Sequence, residues 1–188
     1  MSDHDFDAEI VERARKGDAE AFGTLVSHYQ RLLTSIAFGI MGDPGKTEDL
    51  VQDAFLAAWQ SLPKYRGDAS FKNWLCRILV NKAYSALRWG RLRNWLSLDQ
   101  PEGREWVEVL QDDSPEADPE RAKLRLERSH AVREAVACLP LQQRTAVALR
   151  STGLDVAEVA KAMGVAEGTV KAHLHQARSR LAAMLEQK

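Results

Sequence analysis

The sequence predicts an all-α protein, built as two small helical domains joined by an acidic flexible linker. Three observations carry that expectation. Apolar residues recur at three- and four-residue spacing along most of the chain, and alternating β-branched runs are scarce. Glycine, proline and short polar residues punctuate these stretches where helices would stop and start. Between residues 96 and 120 the periodicity gives way to Pro101, Pro115 and Pro119 set among nine acidic residues. The divisions expected are an N-terminal arm and first helix over 1–21, a helical domain over 22–95, the linker over 96–120 and a second helical domain over 121–188.

Each element has a local reason. Asp7 to Lys16 reads as a helix ended by Gly17. Asp18 caps a second helix running to about Ile40, where Gly42-Asp43-Pro44-Gly45 stops it. Thr47 is expected to cap a third, because Thr47-Glu48-Asp49-Leu50 resembles a capping box, and Pro63 ends it. Lys64 to Ala69 forms a loop, and Ser70 caps a long helix through about Trp89. In the second domain Pro119 to Ala137 is one helix, broken at Leu139-Pro140. Leu141 to Ser151 is the next, closed by Gly153. Asp155 to Met163, Gly164 and a last helix from about Glu167 to Leu185 complete the chain.

Composition narrows the functional classes. The 188 residues carry 26 Lys+Arg and 27 Asp+Glu, a net charge of −1. No apolar run approaches the roughly 18 residues a membrane span needs, and Met1 to Asp7 lacks the pattern of an export signal. Cys76 and Cys138 lie 62 positions apart, with neither disulfide-framework nor metal-ligand spacing. A reducing cytoplasm is therefore the expected location. Neither catalytic residues nor a cofactor are expected, since no nucleophile–base pair or phosphate-cradling loop appears. His173 and His175 alternate without anything nearby to complete a metal site, so no metal is expected either.

The near-zero net charge conceals a pattern. Asp99 to Glu120 carries −8, which leaves +7 for the rest of the chain. Ala69 to Leu98 contains no acid but six bases (Lys72, Arg77, Lys82, Arg88, Arg91, Arg93), interleaved with Phe71, Trp74, Tyr84, Trp89 and Trp95. An acid-free basic run with aromatics suits a nucleic-acid strand, bases holding phosphate and aromatic rings stacking on unpaired bases. The loop 64–70 is a candidate pocket for a flipped base. Residues expected on this surface are Tyr65, Arg66, Asp68, Ser70, Lys72, Asn73, Arg77, Asn81, Lys82 and Arg88. Trp74 and Ile78 read instead as core, at helical spacing from Phe71.

Two further constellations stand out. Asp155–Met163, Gly164-Val165 and Glu167–His175 form a helix, a tight glycine turn and a second helix. On the last helix Val170, Leu174, Ala177, Leu181 and Leu185 share one apolar stripe. Ala172, His175, Gln176 and Ser179 face away from it, flanked by Lys171 and Arg178 and with Thr169 in the first turn, the polar surface of a helix that enters a major groove. Lys171 and His175 are expected to reach base edges and Arg178 a phosphate. On the helix Glu48–Leu62, Leu50, Val51, Ala54, Phe55, Ala58 and Leu62 share the buried side. Asp49, Gln52 and Asp53 surround Leu56 on the other, an acidic face with an apolar centre suited to docking a basic protein surface.

Taken together these residues resemble the extracytoplasmic-function sigma factors, small members of the sigma-70 family of bacterial RNA polymerase specificity subunits. The motifs are Gly17-Asp18-x-x-Ala21-Phe22, Glu48-Asp49-Leu50-Val51-Gln52-Asp53-Ala54-Phe55, Tyr65-Arg66-Gly67, Phe71-x-x-Trp74-Leu75-x-x-Ile78, Asn81, Leu139-Pro140-x-x-x-Arg144, and Gly168-Thr169-Val170-Lys171 through Ala177-Arg178. The resemblance implies core RNA polymerase as partner, through the clamp helices of its largest subunit and the flap of its second subunit. It implies that Asp49, Gln52, Asp53 and Leu56 bind the clamp helices. Loop 64–70 and the helix through Asn81 would read the melted minus-ten element of promoter DNA, and the final helix the minus-thirty-five duplex. The acidic linker would then lie in the path of nascent RNA. With no inhibitory domain in the sequence, a separate anti-sigma factor is the expected regulator. Ser85 stands where the family often has Asp or Asn, and Lys171 and His173 where it often has Arg, so no promoter consensus carries over. Two other readings stay open: a helix-turn-helix repressor that binds duplex DNA as a dimer, and a sigma mimic that only sequesters an anti-sigma protein.

Overall fold

The structure, a computed structural model, describes residues 3–96 and 130–186. The described residues form helices α1 (Asp3–Arg15), α2 (Ala19–Met41), α3 (Pro44–Ser61) and α4 (Phe71–Leu96), a helical run over 130–137 (α5), then α6 (Leu141–Ser151), α7 (Val156–Met163) and α8 (Glu167–Leu185). A single 3-10 turn, Leu62–Lys64, follows α3. No strand occurs among the described residues. The greater part of the expected linker, and the start of the helix expected from Pro119, lie outside them.

Most boundaries follow the local chemistry anticipated. Asp18 caps α2, its carboxylate accepting the backbone N–H groups of Glu20 and Ala21 at 3.1 and 3.0 Å. The Ala21 bond, with Arg13 at 2.7 Å, holds the Asp18 carboxyl below its usual range. Three elements differ from expectation. The first helix begins at Asp3, four residues before the expected Asp7, and ends at Arg15. The third helix begins at Pro44 with Asp43 as its cap, not at Thr47: the Asp43 carboxylate accepts Lys46 N–H at 2.8 Å. Proline suits the first helical position because its missing N–H would have no partner there anyway. Thr47 is buried, its hydroxyl donating to the Asp43 carbonyl at 2.7 Å. Helix α4 does not stop near Trp89 but continues through Gly90 to Leu96. A lone glycine costs a helix about 1 kcal/mol, too little to end one with good helix formers on both sides.

Helices α1 to α4 pack around Leu25, Leu33, Ile36, Ala54, Ala58, Leu75, Leu79 and Val80, all fully buried. Burying each large aliphatic side chain is worth about 1.5–3 kcal/mol. Tyr29, Phe71, Tyr65 and Trp74 form an aromatic cluster with ring centroids 5.0 to 6.0 Å apart, anchoring the start of α4 to α2 and to loop 65–70. Cys76 lies wholly inside this core, and burial pushes its thiol up to about 12, with Lys72 a smaller opposing influence. Native protein at pH 8 is expected to take up iodoacetamide at exposed Cys138 and not at Cys76. Equal labelling of both thiols, followed by peptide mass, would contradict this burial.

Helices α6, α7 and α8 form the second bundle around Leu149, Leu154, Val159 and Val170. Arg144, buried in α6, donates to the Ala137 carbonyl at 3.0 Å and ties α6 to α5. A capping box starts α7: Asp155 accepts Glu158 N–H at 2.7 Å, and the Glu158 carboxylate accepts Asp155 N–H at 2.8 Å. Gly164 ends α7 at φ +69°, a conformation a side chain would strain. The two bundles are not separate bodies. Helix α2 packs on α6 and α4 on α7, and one continuous apolar core runs through both.

Candidate nucleic-acid and protein interfaces

The first surface is the outer side of α3. The inner stripe is buried as the periodicity requires: Leu50, Val51, Ala54, Phe55, Ala58 and Leu62. Asp49, Gln52, Asp53 and Leu56 are all exposed, Leu56 at 60%. Leu56 is not a lone leucine. It forms the rim of an apolar groove of about 460 Å³, completed by Ala19, Phe22 and Val26 of α2 and by Gln52, Phe55 and Trp59 of α3. Phe22 and Trp59 meet at the groove with centroids 4.9 Å apart. Helical spacing on α3 alone marks the acidic residues and Leu56, but not Phe22, Val26 and Trp59. Their signal was the Phe22/Val26 spacing on α2, but which face of α2 meets α3 is a packing fact.

The second surface is loop 65–70 with the start of α4. Arg66, Asp68, Arg77, Asn81 and Arg88 are exposed, and Tyr65, Ser70, Lys72 and Lys82 are half-buried. Asn73 departs from expectation: it was placed on the polar face but is only 7% exposed, with its Oδ1 unpaired. Its backbone N–H donates to the Ser70 hydroxyl oxygen at 3.3 Å, which makes Ser70 the helix cap. Tyr65 stacks on Trp74 and donates its hydroxyl to the Ala69 carbonyl, so its ring shapes the loop from within. A cavity of about 390 Å³ opens here, lined by Lys64, Arg66, Arg77, Trp74 and Asn73, and by Lys161 of α7. Trp74 and Ile78 pack against the core as their spacing suggested.

The third surface is α8. Val170 and Ala177 are buried and Leu174 and Leu181 half-buried, while Leu185, assigned to the same stripe, is exposed. The stripe outlasts its partner: the core it packs against ends before the last turn of the helix. Thr169, Lys171, Ala172, His175, Gln176 and Arg178 all lie exposed. Gln176 is not wholly free to read a base, since its Oε1 accepts from Gln143 Nε2 at 2.8 Å. That bond fixes α8 on α6, a positioning role that sequence spacing does not reveal. Among the described residues no three metal-ligating side chains cluster, and no helix is long and apolar enough to cross a membrane.

Residues 25–92 match the family Sigma-70 region 2, and residues 129–181 match Sigma-70, region 4. The chain is 34% identical over 176 residues to RNA polymerase sigma-H factor of Pseudomonas aeruginosa, covering 92% of this chain and 90% of that one. It is 35% identical over 182 residues to ECF RNA polymerase sigma-E factor of Escherichia coli K12, covering 95% and 93%. Among solved structures, CnrH in complex with the cytosolic domain of CnrY aligns over 97% of this chain and 98% of that one, with TM-score 0.70 and 26% identity. The sigma factor RpoE in complex with the anti-sigma factor NepR, from Bartonella quintana, covers 88% and 96%, with TM-score 0.71 and 26% identity.

Proposed function

Because the chain belongs to the sigma-70 family, as an extracytoplasmic-function sigma factor, we propose that its three surfaces divide the work of promoter-specific initiation. The acidic face of α3 with its apolar groove docks core RNA polymerase, on the clamp helices of the largest subunit. Loop 65–70 and α4 read the melted minus-ten strand, and α8 reads the minus-thirty-five duplex. The second bundle also meets the polymerase flap. An anti-sigma protein is the regulatory partner, as it is for the structural relative RpoE. The chain has no bond-making task of its own; polymerase supplies the chemistry.

The observation that carries this reading is the exposure of an acidic, apolar-centred face and of a basic helix on different elements of one fold. A repressor would need the second and leave the first without a use. A mimic that sequesters an anti-sigma protein would need no basic face on α8. The test is transcription in vitro with core polymerase on genomic fragments, with transcript starts sequenced. Starts that depend on this chain and share two spaced upstream elements are expected. A stable polymerase complex with no new starts would favour the mimic, and no complex at all would favour the repressor.

A further inference from the structure

We propose that Gln143, buried in α6, is a positioning residue for duplex recognition: it turns the Gln176 amide so that α8 offers DNA a hydrogen-bond donor and selects a base edge that carries acceptors only. The inference rests on the duplex-reading role of α8 proposed above. Its basis is a pair of glutamines in unequal surroundings. Gln143 is only 5% exposed, whereas Gln176 lies exposed on the polar side of α8. Gln143 Nε2 donates to Gln176 Oε1 at 2.8 Å, across 33 positions of sequence. The other end of the Gln143 amide has no such use. Its Oε1 is buried without a hydrogen-bond partner among the described residues. An unpaired buried carbonyl costs stability, and an apolar side chain of similar volume would avoid that cost. What glutamine adds at this position is therefore the one bond to Gln176.

The sense of that bond follows from the burial. Turned over, Gln143 would leave its N–H2 group buried and unpaired, and orphaned buried N–H donors are rarer than under-satisfied carbonyls. So the buried glutamine gives the hydrogen and Gln176 gives the oxygen. This decides what Gln176 brings to DNA. A glutamine that reads adenine uses both ends of its amide at once, the oxygen accepting from N6 and the nitrogen donating to N7. With its oxygen turned back to α6, Gln176 directs its N–H2 outward alone. A lone donor suits guanine, whose major-groove edge offers N7 and O6, or thymine, which offers O4. Adenine would set its N6–H2 donor against the amide N–H2, and cytosine presents a donor only. Ala172, one turn earlier on α8, is exposed and small, which leaves room for a base edge beside the amide.

The test is selection by holoenzyme assembled from the full-length chain. The probe is a promoter fragment recovered by run-off transcription, with its upstream duplex element randomised and the bound pool sequenced. Gln176→Ala locates the base in question, since the preference at one position should flatten. In the wild type that position is expected to hold guanine or thymine. Gln143→Met keeps the length of the side chain and removes the donor. It is expected to raise adenine at that position about tenfold relative to wild type, with the other positions unchanged and the melting temperature the same or higher. Gln143→Leu should give the same shift. Added to Gln176→Ala, Gln143→Met should do nothing further, because one residue acts through the other. Adenine or cytosine preferred by the wild type, no position responding to Gln176→Ala, or no shift in either Gln143 variant overturns the proposal. So does a uniform loss of affinity that persists in the Gln176→Ala background, which would mean that Gln143 only holds the bundle together. A wild-type holoenzyme that initiates but selects no upstream sequence would instead remove the duplex-reading role of α8, and the proposal with it.

Discussion

Leu56→Arg is expected to weaken binding to core RNA polymerase by about 30- to 150-fold, the loss of a central interface residue at about 2–3 kcal/mol, with the melting temperature unchanged. Leu56 is the exposed apolar residue at the rim of a groove floored by Phe22, Phe55 and Trp59, with Asp49 and Asp53 beside it. A central apolar anchor within a charged rim is the arrangement in which a few residues carry most of the binding energy, the rim setting orientation and association rate. Arginine both removes the anchor and places a cation where a basic partner surface must approach. The fold does not depend on the residue, since substitutions at exposed sites generally change stability by less than about 0.5 kcal/mol. Asp49→Ala and Asp53→Ala should act in the same direction but mainly on the association rate, and more weakly at high salt. Wild-type polymerase affinity in Leu56→Arg would remove α3 from the interface. A fall in melting temperature would mean that the groove is structural.

Lys171→Ala and Arg178→Ala should impair promoter recognition by the holoenzyme in two distinguishable ways. Both residues are exposed on α8, on the flank of the stripe that holds buried Val170 and Ala177. Lys171 lies near the N-terminal end of the helix, where a side chain reaches base edges when a recognition helix enters the major groove. Its removal is expected to cost about 1–3 kcal/mol, roughly a 5- to 150-fold loss, and to relax sequence preference at one position. Arg178 lies two turns further on, and its removal should weaken all duplexes alike. The plot of log affinity against log salt should flatten by about 0.9, the release of one counterion fewer. Polymerase binding should be unaffected in both. If neither variant changed discrimination or salt slope, α8 would not be the duplex reader. Joint loss of DNA and polymerase binding would signal misfolding.

Much of this was legible in the sequence because helix chemistry is local. Asp18, Gly42, Ser70, Asp155 and Gly164 act on groups within a few residues, so caps and turns could be read in place. The 3.6-residue period sorts the faces of α3 and α8 without knowledge of what they pack against. Competition between neighbouring local signals was less legible: Thr47 reads as the cap and Asp43 as part of a stop, but Pro44 at the first helical position makes Asp43 the cap. Asn73 and Gln176 show the limit of the helical wheel. It says that a side chain points outward from its own helix, not whether another element is waiting there.

By itself, then, the sequence determined the all-helical class, the acidic face of α3, the basic face of α8 and the helix-turn-helix between α7 and α8, each the consequence of spacing along one segment. Only the tertiary structure decided the apolar groove joining α2 to α3, the burial of Asn73 and the closure of the two bundles on each other. Those depend on contacts between residues far apart in the chain: Phe22 with Trp59, Tyr84 with Gln142, Lys72 with Glu158 and Gly39 with Ala148. The missing side chain of Gly39 illustrates the difference. Along the chain it is a weak point in the apolar run 36–41 of α2, and its use becomes visible only when α6 lies against it.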